Sequence, residues 1–161
     1  MFNAGMQITR RSFVFASLAT PFAFRTVTNL RRSEPWKNEK FLVAKVGCGG
    51  MGGSDLGEVA KHKSVEIVTL CDIDRRQLDT LMKGGKDEDG KAIAPKYASV
   101  AAFADWREMF AKMGDKFDAV VVSTADHMHA SIAMEGLNRN KHVYCQKPLA
   151  QGAWENRRLA E

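Results

Sequence analysis

The residues whose types and spacing most clearly suggest a chemistry lie in one glycine-rich segment: Gly47, Gly49, Gly50, Met51 and Gly52. The first, second and last glycines fit the spacing G-x-G-x-x-G. They follow an apolar run at 41–46 that predicts a buried strand and precede a segment at 54–62 that predicts a helix. Such a turn lets the backbone approach a pyrophosphate, and the helix N-terminus offers free N–H groups to the phosphates. The pattern therefore predicts that this segment binds a dinucleotide.

An acidic residue supports this prediction. Asp72 lies 20 residues after Gly52, at the end of a second apolar run at 65–71, where a carboxylate can accept hydrogen bonds from the ribose hydroxyls of NAD. Arg75 and Arg76 follow it and could instead contact the 2′-phosphate of NADP, so NAD is only slightly favoured over NADP. The alternative is a glycine-rich loop in an unrelated α/β domain, with Asp72 as a solvated carboxylate.

These residues need a parallel sheet to position them. Strand-like and helix-like segments alternate from residue 41 onward, which predicts parallel strands joined by right-handed crossovers in a doubly wound α/β fold, the Rossmann fold. The predicted strands are 41–46, 65–71, 96–99, 117–123 and 142–145. The predicted helices are 55–62, 74–83, 100–113, 131–137 and 152–161. Ligands of such sheets bind beyond the carboxyl ends of the strands.

Two later segments end predicted strands and carry polar residues. One reads Ser-Thr-Ala-Asp-His-Met-His from Ser123, and the other reads Gln-Lys-Pro-Leu from Gln146. Together with the glycine turn and the acid, they resemble the N-terminal domain of the glucose–fructose oxidoreductase / inositol dehydrogenase / MocA family. That family has the same turn, an acid after the second strand, a T-P-x-x-x-H segment and an E-K-P segment in this order. The resemblance covers the chain from about residue 40 to its last residue.

The resemblance implies a role for each matching residue. The glycine turn would hold the pyrophosphate and Asp72 the adenosine ribose. Thr124 and His129 would border the nicotinamide. Lys147 would be the catalytic lysine, hydrogen-bonded to a substrate hydroxyl whose proton it exchanges while hydride leaves the carbon. Pro148 would fix the turn after the strand, and in this family that Lys–Pro peptide bond is often cis.

The chain departs from the family pattern at two positions. Ala125 replaces the proline of T-P-x-x-x-H, and Gln146 replaces the glutamate of E-K-P. Gln146 loses a charge near the nicotinamide ribose but keeps hydrogen bonding, so cofactor binding is expected to survive and catalysis is less certain. Family members also carry a second, substrate-binding domain, which we expect to be absent from these 161 residues.

Two functional hypotheses follow. The first is an NAD(P)-dependent oxidoreductase, or its cofactor domain, acting on a sugar, polyol or related carbohydrate. The second is a non-catalytic module that binds a dinucleotide or a partner. An oligomer is possible under either hypothesis.

Composition argues against other classes of protein. The net charge of +5 suggests nucleic-acid binding, but residues 41–161 carry 17 basic and 17 acidic groups and are neutral. No nucleic-acid partner is therefore predicted. Cys48, Cys71 and Cys145 lie at strand ends without a C-x-x-C pair, which favours buried core residues over a disulfide framework or zinc site. His127 and His129 are two residues apart, a spacing that does not favour a metal site on a helix.

The first 24 residues resemble a twin-arginine signal peptide. Arg10 and Arg11 precede an apolar stretch at 13–24 that is the length of a signal-peptide core and too short for a stable membrane span. We therefore expect export to the periplasm, a polar linker at 25–39 and a nucleotide-binding domain at 40–161. The alternative is a cytoplasmic protein with a basic N-terminal arm.

Overall fold

The computed structural model describes residues 40–86 and 92–161. The predicted signal peptide at 1–24 and linker at 25–39 lie outside the described residues. Within the described ranges, no helix is long and apolar enough to cross a membrane.

A parallel sheet forms the centre of the described structure. Its strands, in the order in which they pair, are β5 (Ala101–Phe103), β2 (Val65–Cys71), β1 (Phe41–Val46), β6 (Ala119–Val122) and β7 (His142–Cys145). A separate antiparallel pair consists of β3 (Gly85–Lys86) and β4 (Ala92–Ile93). The helices are α1 (Met51–Val59), α2 (Arg75–Lys83), α3 (Trp106–Met113), α4 (Asp126–Asn138) and α5 (Ala153–Ala160), and a 3₁₀ turn spans Gly114–Lys116.

The strand sequences explain why helices cover both faces of this sheet. Every residue of β6 is buried, as expected for the apolar run of a central parallel strand. Val43 of β1 packs in a cluster with Leu56 of α1 and Leu78 of α2. Ala44, the next residue, faces the opposite cluster, with Phe110 of α3 and Ile132 of α4. The predicted doubly wound fold is confirmed.

Most predicted elements are present, but the third predicted strand is wrong. Residues 96–99 form a turn, and the edge strand is β5, inside the segment that was predicted to be helical from residue 100. Three residues of β5 pair with the end of β2, and the Thr69 hydroxyl donates a hydrogen bond to the Ala101 carbonyl at 3.0 Å. Helix α3 begins later, where the Asp105 carboxylate accepts the Arg107 N–H at 2.8 Å as an N-cap. Pairing with a neighbouring strand therefore overrides the helical spacing of the apolar residues.

The strand order creates a crevice at one edge of the sheet. From β1 the chain proceeds to β2 and then β5, after which it crosses to β6 on the other side of β1. The connections after β1 and β6 therefore diverge at their carboxyl ends. Ligands of doubly wound sheets bind at this reversal of strand order.

Candidate dinucleotide-binding site

The glycine turn after β1 is packed too closely for side chains at two of its positions. Gly47 has a φ of +82°, and a Cβ there would lie 2.3 Å from the Ser123 carbonyl oxygen at the end of β6. A Cβ at Gly52 would lie 2.3 Å from the Gly47 carbonyl oxygen. The turn thus rests directly on β6 and on the first turn of α1, and both positions require glycine.

Helix α1 points its N-terminus into the crevice. Its N-cap is Gly50, with a φ of +49° and no atom within 4 Å of the position of a Cβ, and no side chain among the described residues caps the helix. Met51, the first helical residue, is 65% exposed. The first N–H groups of the helix are therefore available to an anionic ligand.

Asp72 is held in place by backbone groups from two sides. One carboxylate oxygen accepts the Cys48 N–H at 2.7 Å, and the other accepts the Asp74 N–H at 2.8 Å. The first bond joins the end of β2 to the glycine turn. A carboxylate offers about four acceptor positions, so roughly two remain for hydroxyl donors of a ligand. Asp72 is therefore an oriented acceptor at the mouth of the crevice.

The crevice has a volume of about 1110 Å³ and extends beyond Asp72. Ile73, which is 91% exposed, lines it, as do Trp106 and Arg107. The guanidinium of Arg107 stacks over the Trp106 ring at 4.4 Å. This end of the crevice therefore offers an apolar side chain and a flat cationic surface.

The two arginines considered for a 2′-phosphate have different surroundings. Arg76 donates to the Asp74 carboxylate from Nε at 2.9 Å and from Nη2 at 2.7 Å. These side-chain bonds, with the Arg76 backbone N–H, lower the pKa of the Asp74 carboxyl. Arg75 is exposed and lines a shallow depression with Asp79, apart from the crevice of the glycine turn.

Thr124 and His129 belong to the turn and helix that follow β6. Thr124 lines the crevice. The ring of His129 is only 1% exposed, with Nε2 at 3.0 Å from the Thr124 carbonyl and Nδ1 at 2.7 Å from the Pro148 carbonyl. A neutral imidazole donates from one nitrogen only, so one of these contacts is a hydrogen bond unless the ring is protonated. His129 thus joins two loops at the crevice edge, and its ring faces their backbone.

Ala125 keeps the backbone conformation of the proline it replaces. Its φ is −64° and its ψ is 144°, within the range to which a proline ring restricts φ. Met128 at the start of α4 donates its N–H to the Ala125 carbonyl at 2.9 Å. This departure from the family pattern therefore leaves the turn after β6 intact.

The segment after β7 contacts helix α1 through Gln146. Its Nε2 donates to both carboxylate oxygens of Asp55, at 3.0 and 3.1 Å, and its Oε1 accepts the Lys147 backbone N–H at 3.2 Å. The Lys147–Pro148 peptide bond is cis. Lys147 itself is exposed. Helix α1, which follows the glycine turn, therefore contacts this segment through Asp55.

A lysine is buried in the central strand below the turn. Lys45 is 1% exposed, and its ammonium donates to the Val46 carbonyl at 3.4 Å. Burial lowers the pKa of Lys45 to about 8, although the nearby Asp55 and Asp72 oppose this shift. Burial raises the pKa of Cys48 and of Cys71 to about 12, so these thiols stay protonated. The prediction of buried cysteines is confirmed for both, while Cys145 is partly exposed.

Several site residues were not found from the sequence. Asp55 lies about one helical turn after Gly52. This spacing could have indicated that Asp55 lies close to the glycine turn. Lys45 is a charge within an otherwise apolar strand, which marks it as unusual. Trp106 and Arg107 were missed because the sequence predicted one helix over 100–113 and therefore no strand end before these two residues. Within the described ranges, no group of three or more His, Cys, Asp or Glu side chains is arranged to hold a metal ion.

Residues 41–161 match the family model GFO_IDH_MocA, described as an oxidoreductase family with an NAD-binding Rossmann fold. Inositol 2-dehydrogenase of Salmonella typhimurium is 33% identical over 118 residues, which are 72% of this chain and 31% of that protein. The NADP-dependent scyllo-inositol 2-dehydrogenase IolU of Bacillus subtilis is 33% identical over 93 residues, 58% of this chain and 27% of that protein.

A solved structure shares the fold. The WlbA dehydrogenase of Bordetella pertussis, crystallised with NADH and UDP-GlcNAcA, aligns with a TM-score of 0.61 and 24% identity, covering 78% of this chain and 34% of that one. The chain spans about a third of the length of the curated relatives that it matches.

Proposed function

This chain belongs to the Gfo/Idh/MocA family of oxidoreductases, in their NAD-binding Rossmann fold, and we propose that it binds NAD in the crevice between β1 and β6. The proposed reaction is hydride transfer between the nicotinamide and a hydroxyl-bearing carbon of a polyol or sugar. Inositol dehydrogenases among the relatives support this substrate class.

The backbone cradle of the glycine turn carries the proposal. Side chains at Gly47 and Gly52 would collide with backbone atoms, and no side chain in the described part of the chain caps the N-terminus of α1 beside them. A turn with these properties fits a pyrophosphate. Asp72 would hold the adenosine ribose, and Trp106 and Arg107 are available to the adenine ring.

Charge near Asp72 favours NAD over NADP. A 2′-phosphate there would approach the carboxylates of Asp72 and Asp74. Arg76, which could compensate this charge, already forms an ion pair with Asp74 at 2.7 Å. We therefore expect weaker binding of NADP(H) than of NAD(H).

Lys147 is the proposed proton acceptor. Nicotinamide, when bound, supplies the hydride chemistry. The neutral amine of Lys147 would accept a hydrogen bond from the reacting hydroxyl of the substrate and take up its proton as the carbonyl forms, becoming an ammonium. Thr124 would border the nicotinamide, and His129 and Pro148 would hold the two loops around it.

Titration of the full chain with NADH and NADPH, followed by calorimetry, tests cofactor binding. We expect saturable NADH binding that Asp72→Ala weakens about tenfold or more, since this variant loses hydrogen bonds and an oriented turn. The preference for NADH over NADPH should narrow in the same variant. Asp79→Ala is the matched control, because Asp79 lies on α2 and pairs with Lys83 away from the crevice. Unchanged affinity in Asp72→Ala would contradict the proposal.

Turnover is tested separately. NAD⁺ reduction at 340 nm with myo-inositol, scyllo-inositol and common hexoses should depend on Lys147 and disappear in Lys147→Met. Saturable NADH binding without turnover on any of these substrates would favour the non-catalytic module for this chain.

We also propose export by the twin-arginine route, on the evidence of Arg10 and Arg11 before an apolar stretch. Fractionation of cells expressing the full chain should recover it in the periplasm. Changing both arginines to lysine should retain it in the cytoplasm, while the same change at Arg31 and Arg32 should not. If both double variants were divided between periplasm and cytoplasm in the same proportion, export by the twin-arginine route would be refuted.

A further inference from the structure

The geometry points to Asp55 as a positioning residue that sets the Gln146–Lys147–Pro148 segment relative to the glycine turn, an inference that rests on the proposed cofactor site. Asp55 is not among the described residues that line the crevice. Its effect would pass through Gln146.

Asp55 joins three elements that are distant in sequence. It lies in α1, and its Oδ2 accepts the Ser123 hydroxyl at the end of β6 at 2.6 Å. Both of its oxygens accept the Gln146 amide after β7, at 3.0 and 3.1 Å. These partners are 68 and 91 residues away along the chain. One carboxylate therefore links the helix of the glycine turn to the strand ends beside the proposed nicotinamide site.

The acid at 55 and the amide at 146 form a matched pair. A carboxylate can only accept, so the amide must present its NH₂ group to Asp55 and its oxygen elsewhere. A glutamate at position 146 would place two carboxylates about 3 Å apart, where both cannot be ionised without a large cost. Gln146, which departs from the glutamate of the E-K-P pattern, is therefore a neutral donor that can pair with the Asp55 carboxylate.

The free end of the amide reaches the proposed catalytic segment. Gln146 Oε1 accepts the backbone N–H of Lys147 at 3.2 Å. Hydrogen bonds to a carboxylate are stronger than those between neutral groups, so Asp55 fixes the amide more firmly than a neutral partner would. The position of the Lys147 backbone thus depends on the charge at residue 55.

Exchanging the acid and the amide between positions 55 and 146 tests this role. In Gln146→Glu two carboxylates meet, whereas in Asp55→Asn/Gln146→Glu the asparagine NH₂ can donate to the new glutamate and the asparagine oxygen can still accept from Ser123. Calorimetric titration with NADH and with ADP-ribose, which lacks the nicotinamide, separates the two ends of the cofactor. Gln151→Glu is the control, since it adds the same charge at an exposed position five residues later.

We expect Gln146→Glu to bind NADH about tenfold more weakly while its affinity for ADP-ribose changes less than about twofold. The double variant should return to within about threefold of the wild-type affinity for NADH. A variant Gln146→Glu that fails to fold, followed by a double variant that folds and binds NADH, would support the same pairing. A double variant no better than Gln146→Glu would overturn the inference, as would equal loss of affinity for NADH and ADP-ribose.

The wild-type titration distinguishes the two proposals. A wild-type chain that binds neither NADH nor ADP-ribose refutes the proposed function and this inference with it. Normal binding by the wild type, combined with failed rescue in the double variant, refutes the role of Asp55 alone.

Discussion

Replacing Lys45 with methionine should stabilise the folded chain. The side chain is 1% exposed and lies in the central strand between Leu70 of β2 and Val121 of β6. Methionine has a similar length and no charge, so it can occupy this position without a buried ammonium. The lysine charge is a cost to folding because burial removes its hydration.

The size of the effect follows from the shift in pKa. Burial lowers the pKa of Lys45 from 10.5 to about 8. Since a shift of one pKa unit corresponds to about 1.4 kcal/mol, burial of the ammonium destabilises the folded state by about 3 kcal/mol. Lys45→Met should therefore raise the free energy of unfolding at pH 7 by about 3 kcal/mol.

The sign of the pH dependence is fixed by the direction of this shift. Below pH 8 both the folded and unfolded states carry the lysine proton, and the whole penalty is present. Between pH 8 and 10.5 the folded state has released the Lys45 proton while the unfolded state keeps it. The contribution of Lys45 therefore makes the free energy of unfolding of the wild type increase with pH in this range. The advantage of Lys45→Met should fall to about 2 kcal/mol at pH 9 and continue to shrink above it.

The buried thiols act in the opposite direction. Cys48 and Cys71 ionise near 9.0 when unfolded and near 12 when folded, so they reduce stability above pH 9. Because the wild type and Lys45→Met both contain these thiols, most of their effect cancels in the difference between the two free energies of unfolding. The two proteins are therefore compared with each other at each pH.

Urea unfolding followed by far-ultraviolet circular dichroism at pH 7, 8, 9 and 10 measures these differences. Lys40→Met is the control, because Lys40 is exposed and pairs with Glu66 on the surface at 3.4 Å, so the change should stay within about 0.5 kcal/mol. A less stable Lys45→Met at pH 7 would refute the reasoning. So would a difference that stays constant from pH 7 to 10.

Three further predictions concern the turns around the crevice. Gly47→Ala should destabilise the chain by more than about 2 kcal/mol in urea unfolding, because its Cβ would lie 2.3 Å from a backbone oxygen. Gly57→Ala, in open space on α1, should instead stabilise it by up to about 1 kcal/mol. Equal effects of the two substitutions would contradict the packing of the turn. Ala125→Pro should raise the free energy of unfolding by about 0.4–1 kcal/mol, since its φ is already −64°, while Ala130→Pro inside α4 should lower it by about 3 kcal/mol or more, and a destabilised Ala125→Pro would count against the observed conformation. His129→Phe should lower the free energy of unfolding by about 1–3 kcal/mol, because the buried ring no longer donates a hydrogen bond to a facing backbone carbonyl. An unchanged unfolding midpoint would show that the ring does not join these loops.

Local patterns in the sequence were sufficient to predict the centre of this fold. The strands at 41–46, 65–71 and 142–145 have the predicted bounds, because short apolar runs next to turn residues leave few alternatives. The helix start at Asp74 was likewise visible, and its carboxylate accepts the Arg76 N–H at 3.0 Å. The edge strand β5 was not visible, because three residues form a strand only when β2 is beside them.

The same division holds within the site. The glycine turn and Asp72 could be identified from the sequence because their function depends on a short spacing and on the ends of two adjacent strands. The contact between Asp55 and Gln146 joins residues 91 positions apart, and the burial of Lys45 depends on both neighbouring strands. Local sequence contains no information on which distant side chain completes a hydrogen bond, so only the tertiary structure decided these interactions.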